Sequence, residues 1–191
     1  MGYIAIGLLL AFGAVCLGLR GWMHYRQTGK SPFLEGGVSG VAAIVGFTGP
    51  MLAAAIVDVT GALPRFVDST AFSAVGALIS LTGVAATMWA QLAMGESWRV
   101  GIDPEERTAL VTTGPYTRVR NPIYTAMFAF TIGLAMVIPN LIAIVGAAAI
   151  ILVINIVVRV EEEPYLIKVH GDAYREWSQR TGRFLPPLHH A

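Results

Sequence analysis

Between Pro122 and Val158 the chain runs for 37 residues without a charged side chain. A helix at the surface of a soluble domain carries a polar face, so a run of this length points away from such a fold. It is also too long for one ordinary bilayer crossing, for which about 20 apolar residues suffice. Pro139-Asn140 stands near its middle, where the proline withholds a backbone N–H and the pair favours a turn. The run therefore predicts two apolar helices folded back on each other, over about 123–138 and 141–158.

Three further uncharged runs, Met1 to Leu19, Gly36 to Val57 and Ser69 to Gly95, repeat the signal. With 55% hydrophobic residues, 13% charged and a mean hydropathy of +0.64, the 191 residues carry more apolar surface than one soluble core of this size can bury. The expectation is an all-α integral membrane protein forming a single domain over 1–191. Five transmembrane helices are expected at about 3–19, 36–57, 70–94, 123–138 and 141–158, the last two as a C-terminal hairpin, with a cytosolic helical tail over 159–191. Positive charge follows the first run (Arg20, Arg26, Lys30) instead of preceding it, so it reads as a retained helix and not a cleaved signal. Cys16 has no second cysteine to pair with, which excludes a disulfide framework within the chain.

Loop charge sets the orientation. If residues 20–35, 96–121 and 159–191 face the cytosol, they hold 12 of the 13 Lys and Arg, leaving only Arg65 outside. The N-terminus is then outside and the C-terminus cytosolic, as in a multi-pass protein of a prokaryotic inner membrane. The formal net charge of +1 gives no reason to expect nucleic acid. No metal is expected either, because His24 lacks companions at ligand spacing.

Arg20, Trp22, His24, Tyr25 and Arg26 read as a basic and aromatic anchor at the inner headgroups. Gly36-xxx-Gly40 and Thr48-Gly49-Pro50 in the second span read as close-packing and kink features. Thr82, Thr87 and Gln91 put polar groups at membrane depth in the third span, as an inward-facing pocket or as interhelical hydrogen bonds. The sequence leaves both open. A long inner loop then ends in Gly114-Pro115, Arg118, Arg120 and Asn121-Pro122, poised at the membrane edge. The last span is followed at once by Glu161, Glu162 and Glu163.

Two motifs at a fixed separation carry a resemblance. LVTTGPYTRVRNPIY, one helical hairpin, and then EEPYLIKVHGDAYREWSQRTGRFLPP resemble the isoprenylcysteine carboxyl methyltransferase family and its bacterial and archaeal relatives, over about 108–187. The resemblance implies an integral-membrane methyltransferase that uses S-adenosylmethionine, held on the cytosolic side by the final hairpin and the tail. The family's cofactor-binding segment falls on Thr108, Ala109, Leu110 and Val111, then Tyr116, then Asn121, Pro122, Ile123 and Tyr124. Its cofactor-binding acid falls on Glu162, and Arg120 is counted with this set.

The chemistry suits these residue types. An acid pairs an ammonium, and a tyrosine face attracts positive charge. Displacement at a methyl carbon mainly requires alignment and exclusion of water. There are two departures from the family pattern. Asn121 stands where eukaryotic members have histidine, and it hydrogen-bonds without titrating. The family's substrate arginine falls on Val158, with Arg159 one place later, so Arg159 or Arg99 is expected to take its role beside Asn121 as the catalytic set. The expected acceptor is a lipophilic small molecule drawn from the membrane lipid phase, a carboxylate among the possibilities. Phospholipid amine N-methylation and an NADPH-dependent membrane reductase of related fold are the enzymatic alternatives. A membrane scaffold or transporter is the alternative without catalysis.

Overall fold

The computed structural model describes residues 1–33, 38–100 and 109–187. Among these, every regular element is helical, and only two isolated backbone bridges occur, Phe33 with Val100 and Val119 with Gly182. Helix α1 spans Gly2–Thr28, α2 Val38–Thr60, α3 Thr70–Met94, α4 Pro122–Val137 and α5 Leu141–Val157. Helix α5 continues through a wide turn, Val158–Glu162, into α6, Glu163–His170. Gly171, at φ 58°, then breaks the chain before α7, Asp172–Arg180.

Four helical stretches are long and apolar enough to cross a membrane: Gly2–Thr28, Ala42–Thr60, Thr70–Ser97 and Leu141–His170. Helix α4 is as apolar but has 16 residues, about 24 Å at 1.5 Å per residue. That is short of the hydrocarbon thickness, so among the described residues four of the five expected spans are long enough to cross outright. The lipid-facing character is clear in the large exposed side chains, among them Leu10, Leu78, Trp89 and Leu152. No soluble surface tolerates this much contiguous apolar area. The protein is a membrane protein.

The hairpin forms where the sequence predicts it. Helix α4 ends at Val137, and Asn140, fully buried, starts α5 by accepting a hydrogen bond from the Ala143 amide at 3.0 Å. Its side-chain nitrogen donates to the Ala54 carbonyl on α2 at 3.0 Å, so one residue both caps the helix and locks the turn to its neighbour.

Helices α3 and α4 pack almost backbone to backbone. A Cβ added at Gly76 would meet the Gly133 carbonyl at 2.6 Å, and one at Gly83 would meet the Phe130 amide nitrogen at 2.7 Å. Ser73 and Ser80 donate across this seam to the Val137 and Phe130 carbonyls, each at 3.2 Å. Small residues and interhelical hydrogen bonds are what hold helices together in lipid, where burial of apolar surface gives little between them. Pro50 does its packing on α5, where a Cβ on Gly146 would meet the proline ring at 2.8 Å. Phe12, Phe47 and Phe130 fill the centre, with ring centroids 4.6 to 6.2 Å apart. Gly36 lies outside the described residues.

Candidate active site at one end of the bundle

The site is assembled by the loop before α4 and the chain after α5. Gly114, at φ 60°, turns the loop into a short helical turn, Gly114–Thr117, that buries Tyr116 against the end of α3. The Tyr116 hydroxyl donates to the Ala90 carbonyl at 3.4 Å, and its own carbonyl accepts from the Trp177 indole at 3.1 Å. Tyr116, Tyr174 and Trp177 form a second apolar cluster, with Leu110, Val111, Met94 and Leu166 packed around it.

A strap runs alongside this turn. The Arg120 and Asn121 amides donate to the Gly182 and Arg183 carbonyls at 2.7 and 3.1 Å, and the Gly182 amide donates back to Arg118 at 3.3 Å. Arg120 Nη1 donates to the carbonyls of Ser178 and Thr181 at 2.8 and 2.6 Å, capping the end of α7. Its Nη2 donates to Glu163 at 3.0 Å, while Arg183 grips the same carboxylate with two donors at 2.8 and 2.7 Å. Burial by itself would raise the Glu163 pKa; the hydrogen bonds from Arg183 and Arg120 outweigh it and hold the carboxyl below its ordinary range. Phe184 completes the strap on Phe128, at 5.1 Å between ring centroids. Leu185, 74% exposed, does not join it.

Glu162, one residue earlier, is in a different situation. It accepts a short hydrogen bond from the Tyr124 hydroxyl and has no cationic partner among the described residues. Burial pushes its carboxyl above the ordinary range; Tyr124 opposes this, and Glu161 and Glu163 add to it. Burial, followed by the neighbouring Glu162, likewise raises the Tyr116 phenol. An acid that is partly desolvated, flanked by two more acids and left without a cation is an arrangement a positively charged ligand would relieve.

The structure thus brings Leu110, Val111 and Tyr116 into one cluster and joins Tyr124 to Glu162, with Pro122 buried at the start of α4 and Ile123 half-buried beside it. Ala109 is exposed, and Thr108 lies outside the described residues. Arg120 and Asn121 spend their side chains on the strap, the Asn121 amide donating to the Arg183 carbonyl at 3.2 Å. Arg159 is exposed, whereas Val158 beside it is fully buried. The wide turn over Val158–Glu162 does not rotate the arginine inward. Arg99 belongs to another corner, between the buried Trp98 and the Val100 amide, which donates to Pro32 at 2.9 Å. Of the expected catalytic set, Asn121 is thus held in the strap, Arg159 is exposed, and Arg99 follows the buried Trp98.

Two features escape a reading of the sequence. The Glu163 clamp is hidden because three consecutive glutamates look alike until the helix phase is known. Arg20 reads as an interfacial anchor yet is 1% exposed. Its signal was the four-residue spacing of Phe12, Cys16, Arg20 and His24, one face of α1.

Residues 71–173, more than half of the chain, match the phospholipid methyltransferase family. The chain is also similar to the nickel-cobalt-cadmium resistance protein NccN of Alcaligenes xylosoxydans xylosoxydans, at 31% identity over 123 residues. That alignment covers 63% of this chain and 54% of NccN, so the chain spans about half the length of this curated relative. The matched segment runs from α3 through the loop and the hairpin into α7 and carries Tyr116, Tyr124 and Glu162. On that match the chain belongs to the phospholipid methyltransferase family, within the group of integral-membrane methyltransferases that resemble the isoprenylcysteine carboxyl methyltransferases.

Proposed function

We propose that the protein transfers a methyl group from S-adenosylmethionine to a lipophilic small molecule that enters from the bilayer. The observation that carries this reading is Glu162, a desolvated carboxylate bonded to Tyr124 with no cationic partner among the described residues. In this reading Glu162 pairs the ammonium of the cofactor, and Tyr116 and Tyr124 present aromatic faces to its positive charge. Leu110 and Val111 enclose the adenine end. The cofactor, when bound, supplies an activated methyl group. The chain's own contribution is to orient it, to exclude water beneath the strap, and to hold the acceptor in line.

The outward turn of Arg159 leaves a carboxylate acceptor without the arginine expected for it. This favours a phospholipid amine as acceptor, in keeping with the family. Five crossings with α4 as a short one, an outer N-terminus and a cytosolic tail fit the distribution of Lys and Arg. The clamp and Glu162 then face the cytosol, where the cofactor is found.

The test is calorimetric titration of the detergent-purified protein with S-adenosylmethionine, S-adenosylhomocysteine and NADPH. Binding of the two adenosyl ligands alone is the expected result. Binding of NADPH in their place would move the protein to the reductase reading, and no binding by a folded sample would remove the enzymatic one.

A further inference from the structure

At the inner end of α1 a charge is buried without a counter-charge. Arg20 is 1% exposed and has no carboxylate partner among the described residues. One nitrogen, Nη2, caps the end of α3 by donating to the Gln91 and Gly95 carbonyls at 3.3 and 2.5 Å. The guanidinium also lies over the Trp98 ring, 4.7 Å from its centroid. These contacts leave Nε and Nη1 buried and unpaired. On α3, the helix whose Gln91 carbonyl Arg20 bonds, Thr87 Oγ1 and Gln91 Oε1 are also buried and unpaired, one helical turn apart. Thr82, by contrast, is exposed and satisfies itself on the Leu78 carbonyl of its own helix.

We infer that this junction of α1 and α3 binds the anionic head group, a phosphate or a carboxylate, of a lipophilic molecule, with Arg20 holding it. A helix cap would need only Nη2; the other donors call for an acceptor that the described residues do not provide. Neutral water would satisfy the hydrogen bonds but not the charge, and a buried ion at membrane depth is costly without a partner. A partner bearing anionic oxygens for Arg20 and a hydroxyl or amine for Thr87 and Gln91 meets both needs. The lipophilic part follows from the surroundings. The neighbouring surface of α1 carries an open, mainly apolar depression of about 490 Å³, lined by Leu17, Gly18, Gly21 and Trp22 and by Pro32 and Phe33 after the helix. The site also sits beside the proposed methyl-transfer site, because Arg20 and Tyr116 bond the consecutive carbonyls of Gln91 and Ala90. The inference rests on the methyltransferase reading only in treating the bound molecule as the acceptor, and it then makes Arg20 a specificity-determining residue.

The experiment is calorimetry on the full-length protein in detergent with three probes: dihexanoylphosphatidate, dihexanoylglycerol and inorganic phosphate. Phosphatidate is expected to bind and the uncharged glyceride not to. Arg20→Gln should weaken phosphatidate by about tenfold or more, and Thr87→Val and Gln91→Met by about threefold each. These last two keep the cap and the shape, so they carry the test if Arg20→Gln does not fold. Inorganic phosphate binding as tightly as phosphatidate would assign the site to a free anion and overturn its lipid source. Equal binding of phosphatidate and glyceride, or unchanged affinity in both Thr87→Val and Gln91→Met, would overturn the site itself. Affinity for S-adenosylhomocysteine, measured on the same samples, should stay constant across these variants. Its absence from the unmodified protein would count against the methyltransferase reading and not against the anion site.

Discussion

Two adjacent glutamates at the start of α6 do opposite things, and the difference is one of partners. Glu163 is compensated twice over by Arg120 and Arg183, while Glu162 meets, among the described residues, a phenol and no cation. Replacing Glu163 with Gln removes charge-assisted bonds from a carboxylate that is 16% exposed, and should cost about 1–3 kcal/mol. Hydrogen exchange over residues 178–184 would show this as faster exchange in the strap. The same bonds give a pH dependence. Because the Glu163 pKa is lowered in the folded protein, its contribution is present above the unfolded value of about 4.3 and is lost as pH falls through the folded one. The strap should therefore open on acidification, with little change near neutrality, and exchange measured below about pH 4 checks it. None of this was legible from three glutamates in a row. The GPYTRVRNPIY and EEPY motifs fall on the two segments that the fold brings side by side, but whether Arg120 faces a ligand or a carbonyl is decided by the path of residues 178–184, which no local pattern encodes.

At the scale of elements, the hairpin and the third span were readable because charge and proline mark their ends directly. Thr70–Met94 coincides with its expected span, and α4 and α5 break at Pro139-Asn140. The first helix was expected to stop near Leu19, where the apolar run stops, but it continues to Thr28. Hydropathy reports where lipid ends and not where the backbone does. Within α1 a wide i→i+5 stretch, Gly13–Leu19, takes up the drift of about 40° per step that four-residue spacing accumulates in a regular helix. That keeps Cys16, Arg20 and His24 buried together. The α3 and α4 seam is the element most sensitive to size. Gly83→Ala would press a methyl onto the Phe130 backbone at 2.7 to 2.8 Å and should cost about 1–3 kcal/mol. The unfolding midpoint in a denaturing-detergent titration measures it, and Gly46→Ala, where the added carbon meets nothing within 4 Å, is the control.

For the whole molecule, the arrangement is a helical bundle one end of which is closed by Asn140 and by Arg65, paired to Asp58 at 2.6 Å, and whose candidate site lies at the other end. The helical membrane class followed from the uncharged runs and the loop charge. The count of full crossings did not, because α4 is shorter than the bilayer it is read to traverse. The orientation predicts that a cysteine introduced as Asp68→Cys in a Cys16→Ala background reacts with an impermeant maleimide in intact cells, and one introduced as Asp172→Cys does not; the reverse labelling pattern would invert the topology.

The central claim is that Glu162 is a cation site for the cofactor. Affinity for S-adenosylhomocysteine, followed against pH in the unmodified protein and in Glu162→Gln, tests it most directly. With the Glu162 pKa raised by burial, the account predicts that affinity falls as pH drops through a window above the ordinary carboxylate range. Glu162→Gln should bind about tenfold or more weakly, without that pH dependence. Equal affinity and the same pH profile in both proteins would contradict the account.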